Sequence, residues 1–383
     1  RDLHSFPTRR SSDLGFHPVV RLPIFQKVMW TECCLASHWD GPQDRMIPPV
    51  RYCFYARKRP GSSPAPVWLW MAAIPSAAAQ QKPELEDQIM TADKYETSWC
   101  QPYQWPAGKS CAMACSFDVD GESPFVWMNR GQPIAKLGEA EQRRFGPRVG
   151  VFRIMDLLDE FDINATFFVP GLTVEQNPQL LDHILKRGHE VGLHGFYHER
   201  VDELGNSENA DILDRSMQLF QCYTGLTRFG YRSPSWEMTV DMVELLRDRG
   251  VLYDSSLMGA EHPYTISGVT EVPVQWLTDD AIFFRFTAGP KDRGHPANPD
   301  QVLQSWIEEF DGLRDFHGLF TLTAHPWISG RPQRIRMMRK LFTHIAGHND
   351  VWWATIGDIA AYHKTSLNAG RYTITAAPID TSI

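Results

Sequence analysis

A chain of 383 residues, 43% hydrophobic and 22% charged, holds enough apolar material for one large soluble core. Its net charge of −8, with no basic stripe, excludes the electrostatic footprint of a nucleic-acid-binding protein. No apolar run reaches the length of a membrane-spanning helix, so no membrane partner is expected.

The charge is uneven. Residues 1–60 hold ten Lys/Arg against five Asp/Glu, a net of +5, so the rest of the chain carries −13. Residues 1–80 show no sustained hydrophobic period, and His4–Leu14 resembles a translated sequencing-adapter read. We therefore expect residues 1–90 to be a disordered or artefactual leader, 91–370 to be one folded domain, and 371–383 to be a C-terminal tail. The run Val67–Ile74 follows Arg57-Lys-Arg59 and mimics a signal peptide, which keeps secretion as the minority expectation. Seven cysteines show little sign of a disulfide framework, and Cys111 and Cys115 read as buried free thiols. That usage favours a reducing, cytoplasmic location.

The domain alternates strands and helices. Cys111–Phe117 is a buried strand that enters the acidic loop Asp118-Val-Asp120. Apolar residues at helical spacing follow over Val149–Phe161, then a strand over Ala165–Val169 that stops at Pro170-Gly171. Asn177 and Pro178 start a helix that Gly188 closes. The strand Glu190–Leu193 leads into His194 and His198. A helix over Asp211–Tyr223, a strand over Arg228–Tyr231, and a helix capped by Thr239 and ended by Gly250 come next. Val251–Tyr253 and Glu271–Trp276 read as strands, Val302–Phe316 as a helix, and Leu319–Ala324 as the strand delivering His325. A basic-faced helix over Ile335–Ile345 and a strand over Val351–Ala354 complete the pattern. Such alternation predicts an α/β fold with a parallel sheet, most simply a barrel.

In a barrel, residues just after each strand share one rim, where catalytic groups sit. Here they are Asp118 and Asp120, His194 and His198, Arg232, Asp254, and His325. One carboxylate and two imidazoles suffice for a three-ligand metal site with a place left for water. Two histidines with a carboxylate suit zinc best among divalent ions.

These residues carry a family resemblance. Ser116-Phe-Asp-Val-Asp120, His194-x-x-x-His198, Tyr231-Arg-Ser-Pro234 and Leu322-Thr-Ala-His-Pro326 occur in the order seen in polysaccharide deacetylases with the NodB homology fold. The run His325–Arg334, with Tyr253–Met258 and Glu271–Asp280, resembles the subgroup of allantoinase-like proteins, cyclic imide hydrolases and a peptidoglycan-deacetylase-like protein. The resemblance implies a distorted (β/α) barrel with fewer than eight regular units. It implies that Asp120, His194 and His198 hold the metal, that Asp118 is the general base paired with Arg232, and that His325 is the general acid. The subgroup also points to a homo-oligomer. The sequence departs from the wider family at Leu257 and Met258, where an Asp-Trp pair orients the acid histidine; Asp254, Asp279 or Asp280 is left for that task.

The expected activity is metal-dependent hydrolysis of a non-peptide C–N bond, with an N-acetylated sugar or oligosaccharide as substrate. One rival substrate is a cyclic imide or allantoin-type ureide. A rival of another class is a non-catalytic carbohydrate-binding module, against which the presence of Asp118 argues. Tyr197, Trp236, Trp276 and Trp327 are the candidates for stacking on a ring-shaped ligand.

Overall fold

The computed structural model describes residues 97–382, apart from positions 134, 136, 290, 291 and 293. The expected leader, 1–90, and the apolar run Val67–Ile74 lie outside the described residues.

The sheet is built on β1 (Cys111–Asp118), all eight residues of which are buried. A strand covered on both faces reads as a continuous apolar run, and this one does. On one edge it pairs in parallel with β6 (Leu319–Ala324), with Ala112 opposite Leu319 and Phe117 opposite Ala324. Two strands share its other edge. β2 (Thr166–Val169) takes Ser116–Asp118, and β7 (Val351–Trp353) takes Cys111–Met113. β3 (Glu190–Leu193) lies beyond β2, again in parallel. Where β2 and β7 part, the Ile356 and Gly357 amides bond to Thr166 Oγ1 and Glu190 Oε2, each at 2.9 Å.

Past β3 the ring continues through single-residue parallel bridges: Leu193 with Tyr231, Tyr231 with Asp254, and Asp254 with Glu271. On its far side Asp279 bridges Thr323. The fold is thus a parallel α/β structure of distorted-barrel form. The expected strand at 228–231 shrinks to the single bridged residue Tyr231, and the expected strand at 251–253 gives way to a bridge at the next residue, Asp254. The expected strand Glu271–Trp276 is also cut short. β5 (Val269–Glu271) pairs instead with β4 (Tyr264–Ile266), antiparallel, and Trp276 opens a 3₁₀ turn. Pro273 has no N–H to extend a ladder.

Helices cover the sheet. Val151–Asp159 buries Val151, Ile154, Met155, Leu157 and Leu158. Thr239 does cap its helix, accepting from Met242 N at 3.1 Å. Asn177 does not start one: its side chain bonds back to Thr173 O at 2.9 Å, closing the helix Gly171–Gln176, and the next helix runs Leu180–Lys186. The expected tail from 371 is joined to the fold at its start. Tyr372 is fully buried, and β8 (Thr373–Ile374) pairs with β4. Cys111 and Cys115 are buried free thiols.

One backbone contact bears on the rim. The short helix Pro326–Ser329, directly after His325, lies against the π-helical turn Gly146–Gly150. A Cβ on Gly150 would come within 2.1 Å of Pro326 O, and one on Gly330 within 2.3 Å of Gly150 Cα. No side-chain rotation relieves a clash with backbone. Gly150→Ala should therefore lower stability by about 1–3 kcal/mol, read as a drop in urea midpoint. It should also lower activity, because the segment carrying His325 must shift. An unchanged midpoint would remove the contact from the account.

Candidate active site

The strand ends bring six of the expected residues together. β1 ends at Asp118, and Asp120 follows two residues later, after the Val119 amide has bonded to Phe168 O at 2.8 Å. β3 delivers His194. The chain then turns tightly, with positive φ at Gly195 (65°) and His198 (61°). The buried Glu199 carboxylate accepts from the Phe196 amide at 3.1 Å and the Tyr197 amide at 2.7 Å. This turn, not a helix, makes the two histidines converge, with ring centroids 4.9 Å apart and planes at 86°.

Asp120 Oδ1 lies 3.6 Å from His194 Nε2 and 3.7 Å from His198 Nε2. Ligand atoms of a tetrahedral ion with bonds of about 2.0–2.2 Å stand about 3.3–3.6 Å apart, so the three match such a centre closely. His194 Nδ1 is bonded to the Arg232 carbonyl at 2.8 Å, which leaves Nε2 free to face Asp120. Burial pushes His194 down to about 4. Burial, and after it the Arg143 charge, push His198 down to about 4 as well. Both rings are therefore neutral near pH 7, the form that ligates metals. Asp120 Oδ1 is buried and has no hydrogen-bond partner. An orphaned buried carboxylate oxygen facing two imidazole lone pairs fits a bound cation.

Asp118 is held differently. Burial raises its pKa, but Arg232 and the neighbouring histidines outweigh burial and hold the carboxyl below its usual value. Arg232 is fully buried and donates from Nη1 to Asp118 Oδ1 at 2.8 Å and Ser116 Oγ at 2.9 Å. Its Nε and Nη2 bond to the Ser255 carbonyl at 2.9 Å and hydroxyl at 3.0 Å. The guanidinium also lies 4.2 Å above the Phe168 ring.

His325 sits across the site, its Nε2 3.9 Å from Asp120 Oδ2. Of the three carboxylates left open by the sequence, Asp280 orients it. Asp280 accepts from His325 Nδ1 at 2.7 Å, from the His325 amide at 2.9 Å, and from the Ser329 hydroxyl. Burial opposes the imidazolium, yet Asp280 raises His325 well above the ordinary histidine value. Asp279 is farther, at 3.9 Å, and burial pushes it up to about 7. Asp254 bonds instead to the Ser256 hydroxyl at 2.7 Å and takes no part in holding His325.

The aromatic expectations divide. Trp276 is 47% exposed and packs on the buried Trp236 with centroids 4.4 Å apart. Tyr197 stacks on Trp127 with planes at 15° and accepts from Arg215 at 2.7 Å. Trp327 cannot serve as a stacking surface: it is 3% exposed, and the Arg143 guanidinium covers its ring at 4.8 Å. Arg143 itself was not anticipated. It is 4% exposed, bonds Glu139 at 2.9 Å, and places a positive charge beside His198. Nothing in its local sequence separates it from the other basic residues of the helix Gly138–Phe145.

Known proteins are similar to this chain in sequence and in fold. A family model described as polysaccharide deacetylase matches residues 145–253. The peptidoglycan deacetylase of Helicobacter pylori is 30% identical over 282 residues, which cover 66% of this chain and 96% of that protein. A peptidoglycan deacetylase-like protein of Gibberella zeae is 28% identical over 55% of this chain and 74% of its own length. The crystal structure of a candidate polysaccharide deacetylase from Mycobacterium smegmatis superposes with a TM-score of 0.67 at 33% identity, covering 74% of this chain and 98% of that one. An allantoinase structure, at 19% identity and TM-score 0.61 over 69% of this chain and 93% of that one, shares the fold. With a deacetylase relative matched over nearly its whole length, the chain belongs to the polysaccharide deacetylase family.

Proposed function

We propose that this protein is a metal-dependent N-deacetylase that hydrolyses the acetamide of an N-acetylated sugar polymer, with peptidoglycan-type glycan as the preferred substrate class. The observation that carries the reading is the division of protonation states across one small site. An ionised Asp118 stands on one side of the Asp120–His194–His198 cluster, and a protonated His325 stands on the other. The likeness to two proteins named as peptidoglycan deacetylase or deacetylase-like supports the glycan over a cyclic imide.

Amide hydrolysis needs water made nucleophilic, a carbonyl made electrophilic, and a proton for the departing nitrogen. Asp120, His194 and His198 would hold a divalent ion, zinc by donor type, which supplies Lewis acidity towards both water and carbonyl. Asp118 accepts a proton from the attacking water, and Arg232 keeps that carboxylate ionised and fixed in direction. His325 donates a proton to the amine as the C–N bond breaks, leaving acetate and a free amino sugar. Asp280 holds the imidazolium and fixes its orientation from the Nδ1 side, leaving the Nε2 proton for the substrate. Each positioned proton transfer is worth about 10²–10⁴-fold in rate. Leu257 and Met258, where the sequence departs from the wider family pattern, do not cost the site its orienting carboxylate, because Asp280 fills that role from another loop.

Asp118→Asn should lower kcat for acetate release from an N-acetylglucosamine oligomer by about 10²–10⁴-fold while metal content stays at the wild-type level. Unchanged turnover would reject Asp118 as the base. His198→Ala should lose metal from the rim and activity together; an active variant without rim metal would break the ligand assignment. Asp280→Asn should depress kcat with little change in KM or metal content, because it acts through His325. A change confined to KM would make Asp280 a substrate contact instead.

A further inference from the structure

The described residues hold a second meeting of histidine and carboxylate side chains, at the opposite end of the sheet. The helix Pro299–Asp315 leads into the start of β6, and the helix Pro332–Ala346 leads into the start of β7. Their C-terminal ends therefore lie where the strands begin, whereas the catalytic rim lies where they end. Asp311 is one turn before the end of the first helix. His344 is in the last turn of the second, and His348 lies just past it.

His344 Nε2 is 2.9 Å from Asp311 Oδ1, and His348 Nε2 is 3.9 Å from the same oxygen. One donor atom from each of the three residues falls within 4.8 Å of the other two, as in the rim cluster. The separation of about 3.3–3.6 Å expected between tetrahedral ligands falls between the two distances, so a small movement of half-exposed His348 completes the set. The rings stand 5.3 Å apart at 71°, close to the arrangement of His194 and His198. Phe310, fully buried, backs both rings, with its centroid 6.0 Å from His344 and 5.7 Å from His348. An apolar wall behind the ligands limits their freedom and raises the field at the donors.

An ordinary surface ion pair accounts for one of these histidines but not both. The His344–Asp311 contact at 2.9 Å is a hydrogen-bonded pair, whereas His348 Nε2, 3.9 Å from the same oxygen, is beyond hydrogen-bond reach. One donor atom from each ring and one carboxylate oxygen instead converge on a common point that a divalent cation can occupy. The carbonyl ends of both helices add a field that favours positive charge there. Two nitrogens and one oxygen suit zinc, cobalt, nickel or copper, and do not suit magnesium or calcium, which take oxygen.

We propose that Asp311, His344 and His348 form a second divalent transition-metal site, which ties the Pro299–Asp315 helix to the Pro332–Ala346 helix at the end of the barrel opposite the catalytic rim. Its role is structural, as that end of a barrel serves stability and not chemistry.

The test is a cobalt(II) titration of the metal-free protein, read by visible absorption, with Tm measured with and without excess zinc. Wild type is expected to bind two equivalents, and His348→Gln and Asp311→Asn one each, with deacetylation by the loaded enzyme unchanged. These side chains are half-exposed, so two independent variants guard against misfolding of either. In His198→Ala, where only the second site is intact, zinc should raise Tm by at least about 2 °C, and adding His348→Gln should abolish that rise. A His348→Gln protein with wild-type stoichiometry, or a double variant that keeps the zinc-induced rise, would overturn the proposal. Wild type and His198→Ala each binding one equivalent, lost in His348→Gln, would uphold this site while removing the one at the rim.

Discussion

The rim is organised around the buried Arg232 guanidinium. Arg232 is fully enclosed, and a guanidinium in that position is tolerated only when its donors are satisfied and its charge is met. Its side chain reaches Asp118 and Ser116 on β1, both polar groups of Ser255, and the face of Phe168 on β2. Its carbonyl sets the tautomer of His194 at the end of β3. Three strands and the 254–257 loop therefore meet on one residue. Breaking a buried pair of this kind costs about 3–5 kcal/mol, so the Asp118 carboxylate, the His194 ring and the closure of the strand ends lose their support together. The regular ladder gives way to single bridges just where Arg232 enters, at Tyr231 and Asp254. Side-chain bonds from one guanidinium hold the strand ends where backbone pairing has run out.

The same burial acts on every titratable group in the site, yet it yields opposite outcomes because each group has a different partner. Asp118 and Asp120 are two residues apart and equally enclosed. Asp118 faces Arg232 and is held ionised; Asp120 lacks a cation of its own and is pushed upward. His194, His198 and His325 are likewise buried. The first two lose their protons readily, while Asp280 keeps the third charged. Groups whose environments drive their pKa values apart take the acid and base roles. Here the separation is set by two ion pairs, Arg232–Asp118 and Asp280–His325, on opposite sides of the cluster that would take the metal.

Much of this was legible in the sequence, for a physical reason. β1, β3 and β6 are buried on both faces, so they read as apolar runs that stop at a polar residue, and that residue is the one at the rim. The site residues on those strands follow directly. The segments 228–231 and 251–253 read as strands yet pair only through bridges at Tyr231 and Asp254, because local apolar content does not show whether a neighbouring backbone lies within reach. Asp280 was only one of three options, since its contact with His325 spans 45 residues of chain. Trp327 was misjudged because the cover on its ring, Arg143, comes from a helix with no local signal of a role. Asn177 looks like a helix start beside Pro178, but the preceding helix needs it more, as the partner of an open carbonyl. In each case the missing information is tertiary.

The central claim is that the ion-holding cluster, the ionised Asp118 and the protonated His325 act as one hydrolytic site on an acetamide. The most direct measurement is acetate release from an N-acetylglucosamine oligomer by the purified chain, before chelation, after it, and after zinc is restored. The account predicts release that stops on chelation and returns with zinc, at one acetate per free amine formed. Release untouched by chelation, or none from the zinc-loaded protein on either oligomer or peptidoglycan, would contradict it.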